Sequence, residues 1–129
     1  MTLKEIFSAV KKALSEKTTF AQVDAFSGET EERIKNLCVD EGACVCVSFE
    51  GAKVASANAS YLIKTQTRDF AIYYACLLSK AGNGEHLDDM EKVLSALHAL
   101  RVGNNTVQPQ EIKLLQRSGV LVYSLTFTI

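Results

Sequence analysis

The most constraining feature of the sequence is the apolar alternation in "GVLVYSLTFTI", residues 119–129. Successive side chains of an extended strand point to opposite faces, so this stretch divides into two sets. One set is Leu121, Tyr123, Leu125, Phe127 and Ile129, and the other is Val120, Val122, Ser124, Thr126 and Thr128. β-Branched and aromatic residues of this kind are typical of strands. Because chain ends fray unless they are held, we expect this stretch, Ile129 included, to lie within or beside a sheet.

Two further segments have the pattern of strands. In "ACVCVSFEG" one set, Val45, Val47 and Phe49, alternates with Cys44, Cys46 and Ser48, which predicts a strand with one firmly apolar face. In "DFAIYYACLLS", residues 69–79, both alternating sets are apolar, which predicts a central strand covered on both faces. Residues 51–68 between them are rich in small and polar side chains and too long for a simple turn. They predict either a mobile loop or an extended, poorly packed hairpin.

Two main helices are predicted. Thr2 and Glu5 have capping-box spacing, and apolar residues follow at helical intervals, so the first helix is expected to end near Glu16. "EHLDDMEKVLSALHALRVG" predicts a second helix over residues 86–101, with Gly103 beyond its end. The apolar stripe of that helix is Leu87, Met90, Val93, Leu94, Leu97 and Leu100. Weaker signals predict an extended segment in "TTFAQVD" and a helical turn in "ETEERIKNL".

The order of these elements predicts an α+β fold. "QEIKLLQ" and residues 120–129, separated by Arg117, Ser118 and Gly119, predict a C-terminal hairpin. With 129 residues, 47% apolar and 22% charged, the chain suits one ordinary globular domain over residues 1–129. We therefore expect a mostly antiparallel sheet of about four to five strands with two main helices packed on it.

The four cysteines, Cys38, Cys44, Cys46 and Cys76, are predicted to be reduced and buried. No apolar run approaches the roughly 18 residues of a membrane span, and the amphipathic start lacks the apolar block of a signal peptide. We therefore expect no membrane partner and a protein made and kept in a cytoplasm, where disulfides are rare. The cysteine spacing does not match the paired ligands of structural zinc sites, so no metal is expected.

No catalytic arrangement is recognisable in the sequence. A cysteine nucleophile needs a neighbouring base, and both histidines, His86 and His98, belong to the second predicted helix, with His98 on its surface. Asp88 and Asp89 point about 100° apart on a helix, and their place in its first turn suits the helix dipole. "GNGEH" lacks the lysine and the hydroxyl of a phosphate loop and predicts a turn. We expect no enzymatic activity and no cofactor.

Charge is small in total but uneven along the chain. The formal net charge of −1 argues against sequence-specific nucleic-acid binding. The tyrosines, Tyr61, Tyr73, Tyr74 and Tyr123, are therefore interpreted as core or interface residues rather than base-stacking groups. Residues 24–50 contain seven acids, Asp24, Glu29, Glu31, Glu32, Asp40, Glu41 and Glu50, against Arg33 and Lys35. Lys53, Lys64 and Arg68 follow with no acid until Asp69.

The order of elements resembles the tail terminator proteins of tailed bacteriophages, particularly those of Mu-like phages. The resemblance rests on "LKEIFSAVKKAL", "ACVCVSFEG" followed by a loop, "DFAIYYACLLS", "MEKVLSALHAL" and the ending "GVLVYSLTFTI". It covers most of the chain as a pattern of elements with few fixed side chains. It implies a structural protein of the virion tail, assembled in the bacterial cytoplasm. Such proteins form a hexameric ring on the completed tail tube, stop its polymerisation and present a surface for head-completion proteins.

Two alternatives remain open from the sequence: another tail-completion or tube-like component, and a small oligomeric ligand-binding or regulatory module.

Neighbours in a closed ring meet through two different surfaces, which opposite charge makes complementary. The candidate inter-subunit contacts are Glu29, Glu31, Glu32, Asp40 and Glu41 on the acidic side and Lys53, Lys64 and Arg68 on the basic side. Solvated surface charge is the competing interpretation of these residues, since exposed ion pairs contribute little.

Overall fold

The computed structural model describes residues 2–24, 31–56 and 63–129, with only the backbone defined at residues 31, 55, 56 and 63–66. The elements in chain order are α1 (Leu3–Lys17), β1 (Ala21–Gln22), α2 (Glu31–Glu41), β2 (Ala43–Ser56), β3 (Ile63–Leu77), a 3₁₀ helix (Leu78–Asn83), α3 (Glu85–Leu97), β4 (Arg101–Val102), β5 (Asn105–Thr106), β6 (Gln108–Arg117) and β7 (Val120–Thr128). The predicted α+β class is confirmed.

The main sheet has five strands in the order β1-β2-β3-β7-β6, with β1 parallel to β2 and every other pair antiparallel. β3 lies between β2 and β7, so its predicted central position is confirmed. β4 and β5 form a separate two-stranded ribbon. One face of the sheet carries α1 and α3, which bury Ile6, Val10, Met90, Val93 and Leu97 against it.

The opposite face carries α2, which is a full helix rather than the single turn expected from the sequence. Its Ile34 and Cys38 pack against Cys44 on β2, Ala75 on β3 and Val122 on β7. The start of β2 is therefore buried on both faces: Val45 and Val47 form the predicted apolar face, and Cys44 and Cys46, which were predicted to be buried, lie on the other. α2 covers this second face with its own apolar residues.

The predicted N-terminal cap of α1 is confirmed, whereas α3 ends earlier than the sequence predicted. Thr2 Oγ1 accepts from the Glu5 backbone N–H at 3.1 Å, and Glu5 Oε2 accepts from the Thr2 N–H at 3.2 Å, which confirms the capping box. α3 ends at Leu97 rather than near residue 101, because Ala99 adopts a left-handed φ of 57° that stops the helix. Gly103 lies between β4 and β5 instead of at the helix end.

Residues 51–68 form the extended hairpin that was one of the two predicted alternatives, as far as they are described. β2 and β3 remain paired from Phe49–Phe70 out to Ser56–Ile63. β7 pairs with β3 from Asp69 onwards, and Ile129 adds backbone hydrogen bonds to Arg68, so the hairpin of residues 51–56 and 63–68 projects beyond the rest of the sheet from a base at Gly51 and Arg68. We call these residues the arm.

The predicted C-terminal hairpin is confirmed as β6 and β7. Phe127 stacks on Phe70 with ring centroids 5.6 Å apart, and Ile129 exchanges two backbone hydrogen bonds with Arg68 at 2.9 and 3.0 Å. Leu125, Phe127 and Ile129 are all buried in the core beneath α1 and α3. The apolar segment is thus held on both sides, since β7 lies between β3 and β6.

Candidate interaction surfaces

The acidic contact residues fall mainly on the outer side of α2. Glu32, Asp40 and Glu41 are exposed, while Glu31 begins the helix and only its backbone is defined. Glu29 lies outside the described residues. The helix holds these acids outwards because Ile34 and Cys38 occupy the face that packs on the sheet.

The basic contact residues lie on the arm. Lys53 is exposed and pairs across the hairpin with Thr67, whereas Arg68 is half-buried and pairs with Ala52. Adjacent positions of a strand face opposite ways, so Lys53 and Arg68 lie on opposite faces of the arm. Lys64 is placed by its backbone pairing with Ala55.

The acidic and basic groups lie at opposite ends of the same two strands. α2 ends at Glu41, immediately before β2 begins, and Lys53 lies ten residues beyond the first residue of β2. At about 3.3 Å per strand residue, Glu41 and Lys53 are about 30 Å apart. These two residues cannot meet within one copy, so any contact between them must join two copies.

A third surface, β6, was not identified from the sequence. All ten residues of β6 are exposed, including Ile112 (43%), Leu114 (42%) and Leu115 (50%). β6 forms one edge of the sheet, and α1 and α3 do not extend over it. The run "IKLL" contains the apolar residues, but only the strand order shows that they lie at an edge.

A buried polar network lies on the helix-bearing side of the sheet. Asp89 on α3 is only 7% exposed, and its Oδ2 accepts a hydrogen bond from the Tyr74 hydroxyl at 2.5 Å and from Lys80 Nζ at 2.8 Å. The sequence assigned Asp89 to the helix dipole together with Asp88, but only Asp88 is exposed. The predicted stripe residue Leu87 is 55% exposed, because α3 is rotated so that Asp89 faces the core.

The two histidines occupy different environments. His98 is the C-cap of α3 and is exposed, which agrees with its predicted position on the helix surface. His86 is buried, its Nδ1 has no hydrogen-bond partner, and its ring lies 5.9 Å from that of Tyr123.

All four cysteines are buried thiols, as the sequence predicted. Cys38 Sγ donates to the Ala75 carbonyl at 3.4 Å. The hydrogen bond between Cys38 and Cys44 lowers the pKa of the first thiol and raises that of the second. Within the described residues, no group of three or more histidine, cysteine or acidic side chains has an arrangement suited to a metal ion.

Stability is expected to decrease at alkaline pH, because burial raises the pKa of the Cys76 thiol and of the Tyr74 hydroxyl. The folded chain holds these protons to higher pH than the unfolded chain, whose thiols ionise near pH 8.5 and tyrosines near pH 10. The free energy of unfolding should therefore fall above about pH 8.5, by up to about 1.4 kcal/mol per pH unit for each group. Urea denaturation at a series of pH values measures this slope. The slope should be shallower in Cys76→Ala, and a flat wild-type profile would contradict the prediction.

Comparisons with known proteins identify no relative: no protein-family model matches the sequence, and no curated protein matches it. Among the described residues, none of the helices combines the length and the apolar character needed to span a membrane. The function is therefore inferred from the three surfaces.

Proposed function

We propose that the chain is the subunit of a bacteriophage tail terminator. As a structural protein, it assembles into a ring of six copies on the completed tail tube, stops further polymerisation and offers a surface to head-completion proteins. The tail tube and the head-completion proteins are its other partners.

The observation that supports this proposal is the position of the acidic residues of α2 and the basic residues of the arm at opposite ends of β2. A copy with two different complementary surfaces associates head to tail, and a head-to-tail contact closes into a ring when its rotation allows. Opposite charges on the two surfaces favour this orientation over its reverse. The exposed apolar residues of β6 add a surface of the kind that interfaces cover.

The first test is the assembly state of the purified chain, measured by sedimentation velocity and negative-stain electron microscopy. A closed ring of six copies is expected. A compact dimer would contradict the proposal and favour the small ligand-binding or regulatory module.

The second test reverses the basic charges of the arm. In Lys53→Glu/Lys64→Glu/Arg68→Glu, attraction to the acidic surface becomes repulsion, so we expect self-association to weaken by about tenfold or more while the fold is retained. Raised salt should weaken the wild-type ring modestly through screening. Circular dichroism and sedimentation measure the two effects.

The matched control is Lys4→Glu/Lys12→Glu/Lys17→Glu, which makes the same change in net charge on exposed residues of α1. This control is expected to assemble like the wild type. An arm variant that sediments as an intact ring at the same dilution would contradict the assigned surface.

A further inference from the structure

The main sheet has two open edges that differ from each other. β6 forms one edge, and no described strand pairs with its outer side. At the other edge, β1 pairs with Cys44 and Val45, the Val23 N–H donates to the Val45 carbonyl, and the Asp24 carbonyl accepts from Cys46 Sγ. Beyond Cys46, no strand among the described residues covers the outer side of β2. Open strand edges carry unpaired backbone N–H and C=O groups, so both edges are able to add a strand.

The two edges have the correct relative direction to join in a head-to-tail contact. β2 runs antiparallel to β3, β3 to β7, and β7 to β6, so β6 runs opposite to β2. A second copy placed beside β6 with its helix-bearing face on the same side therefore presents its β2 antiparallel to β6. The sheet would continue from one copy into the next without a change of face.

We propose that β6 of one copy pairs antiparallel with the outer edge of β2 of the next copy, with Glu111 opposite Lys53. This inference rests on the ring of the proposed function and specifies the contact within it. In this register Ile112 lies opposite Ala52, and Leu114 lies opposite Phe49. Glu111 meets the opposite charge of Lys53, and Ile112 and Leu114 each meet an apolar residue.

The faces of the two strands agree with this register. Ile112 and Leu114 lie on the helix-bearing face, since they pair with the core residues Leu125 and Tyr123. Phe49 is on the same face, because its ring packs edge-on against Phe70 at a centroid distance of 5.3 Å. It is 45% exposed and so has area left to bury.

The charged pair lies on the other face. Glu111 pairs with Thr126 of β7, and Lys53 pairs with Thr67 of β3. A register shift between Phe49 and Gly51 inserts one extra residue in β2, so that Phe49 and Ala52 share a face although they are three residues apart. Opposite charges directly across an antiparallel pair stabilise it, whereas like charges destabilise it.

The register requires a stagger between copies. Ile112 is level with Val47 of its own sheet, through the pairs Ile112–Leu125, Leu125–Ile72 and Ile72–Val47. Pairing Ile112 with Ala52 of the next copy shifts that copy by four ladder steps, about 13 Å, because Glu50 is the extra residue of the bulge. Across four strands spaced about 4.8 Å apart, this stagger corresponds to a strand tilt of about 35°, at the lower end of the range of closed barrels.

The stagger also explains why β1 does not block the contact. Without it, the end of β6 at Arg117 would be level with Ala43 of the next copy and would meet β1 at Cys44 and Val45. With it, the ten residues of β6 lie along the outer edge of β2 beyond Val45 and extend onto the arm, which begins at Gly51. The length of β6 therefore fits the open length of β2.

A charge swap tests the proposed register. Glu111→Lys and Lys53→Glu should each weaken self-association about tenfold, and the double swap should restore it to within about threefold of wild type. Glu91→Lys, an exposed change of the same sign on α3, is the matched control and should assemble normally. Sedimentation velocity measures the association, and circular dichroism checks the fold. A double swap no better than either single variant would overturn the register.

Disulfide trapping provides a second readout. In Lys53→Cys/Glu111→Cys the two new thiols lie at opposite edges of one sheet, so only a contact between copies can join them. Oxidised glutathione should produce a ladder of covalent oligomers up to six copies on a non-reducing gel, and Lys53→Cys/Gln108→Cys should produce much less. A wild-type ring without this ladder overturns the sheet contact and leaves the proposed function standing, whereas a wild-type chain that forms no ring overturns both.

Discussion

A chain that lacks residues 126–129 is expected to lose cooperative folding. The deletion removes Phe127, which is 1% exposed and stacks on Phe70, and Ile129, which is 8% exposed. Burying each of these side chains is worth roughly 1.5–3 kcal/mol, and the backbone bonds between Ile129 and Arg68 are lost as well. Because a domain has only about 5–15 kcal/mol of stability, we expect insoluble or molten protein.

Thermal unfolding followed by near- and far-ultraviolet circular dichroism measures this effect. The control is Thr126→Ala/Thr128→Ala, which alters two half-buried positions of the same segment and keeps both apolar side chains. This control is expected to unfold cooperatively, close to the wild-type temperature. Cooperative unfolding of the truncated chain at that temperature would show that the last strand residues do not contribute to the core.

The second large effect is expected for Asp89→Ala, which should lower the free energy of unfolding by about 3–5 kcal/mol. Asp89 Oδ2 is the shared acceptor of the Tyr74 hydroxyl and the Lys80 ammonium. Without it, a largely buried cation and a fully buried hydroxyl lose their partner, and the cost of removing them from water remains. The network joins β3, the 3₁₀ helix and α3, so its loss should loosen their packing.

Chemical denaturation measures the free energy of unfolding of Asp89→Ala and of its neighbour Asp88→Ala. The difference between the two values shows the effect of burial. Asp88 is exposed in the first turn of α3, so its loss should cost well under about 1 kcal/mol. Asp89→Asn keeps an acceptor for Tyr74 but removes the charge that Lys80 requires, and it should fall between the two. Equal stability of the Asp88 and Asp89 variants would show that the network does not support the fold.

The two proposals assign two tasks to the arm, and Lys53 belongs to both. The charges of the arm and of α2 orient one copy relative to the next, while the edges of β6 and β2 form the direct contact. A two-stranded ribbon that projects beyond its sheet is marginally stable by itself. Pairing with β6 of another copy would give the arm a third strand, so assembly and ordering of the arm are expected to be coupled.

Local sequence patterns predicted a structural feature correctly wherever that feature depends on the residues of a single element. The capping box at Thr2 and Glu5 sets the start of α1, and the alternation of residues 120–129 sets the two faces of β7. The double-sided apolar pattern of residues 69–79 identified β3 as central. In each case the period of the side chains and the backbone geometry are properties of a few consecutive residues.

Local sequence patterns gave wrong predictions where residues distant in the sequence determine which side chains are buried. The helical period made Leu87 a core residue, but Tyr74 and Lys80 draw Asp89 inwards, and α3 buries His86 and Asp89 while Leu87 is 55% exposed. The helical signal of α2 was weak because its stability comes mainly from packing on β2, β3 and β7.

The sequence by itself determined the α+β class, the central strand, the C-terminal hairpin and the uneven charge along the chain. Only the tertiary structure decided that the acidic and basic residues lie at opposite ends of β2 and that β6 is an edge. Whether a strand is central or at an edge depends on which other strands pair with it, and these partners are distant in sequence. The alternation of "QEIKLLQ" is the same in either position, so strand order, not local pattern, leaves Ile112 and Leu114 exposed for a partner.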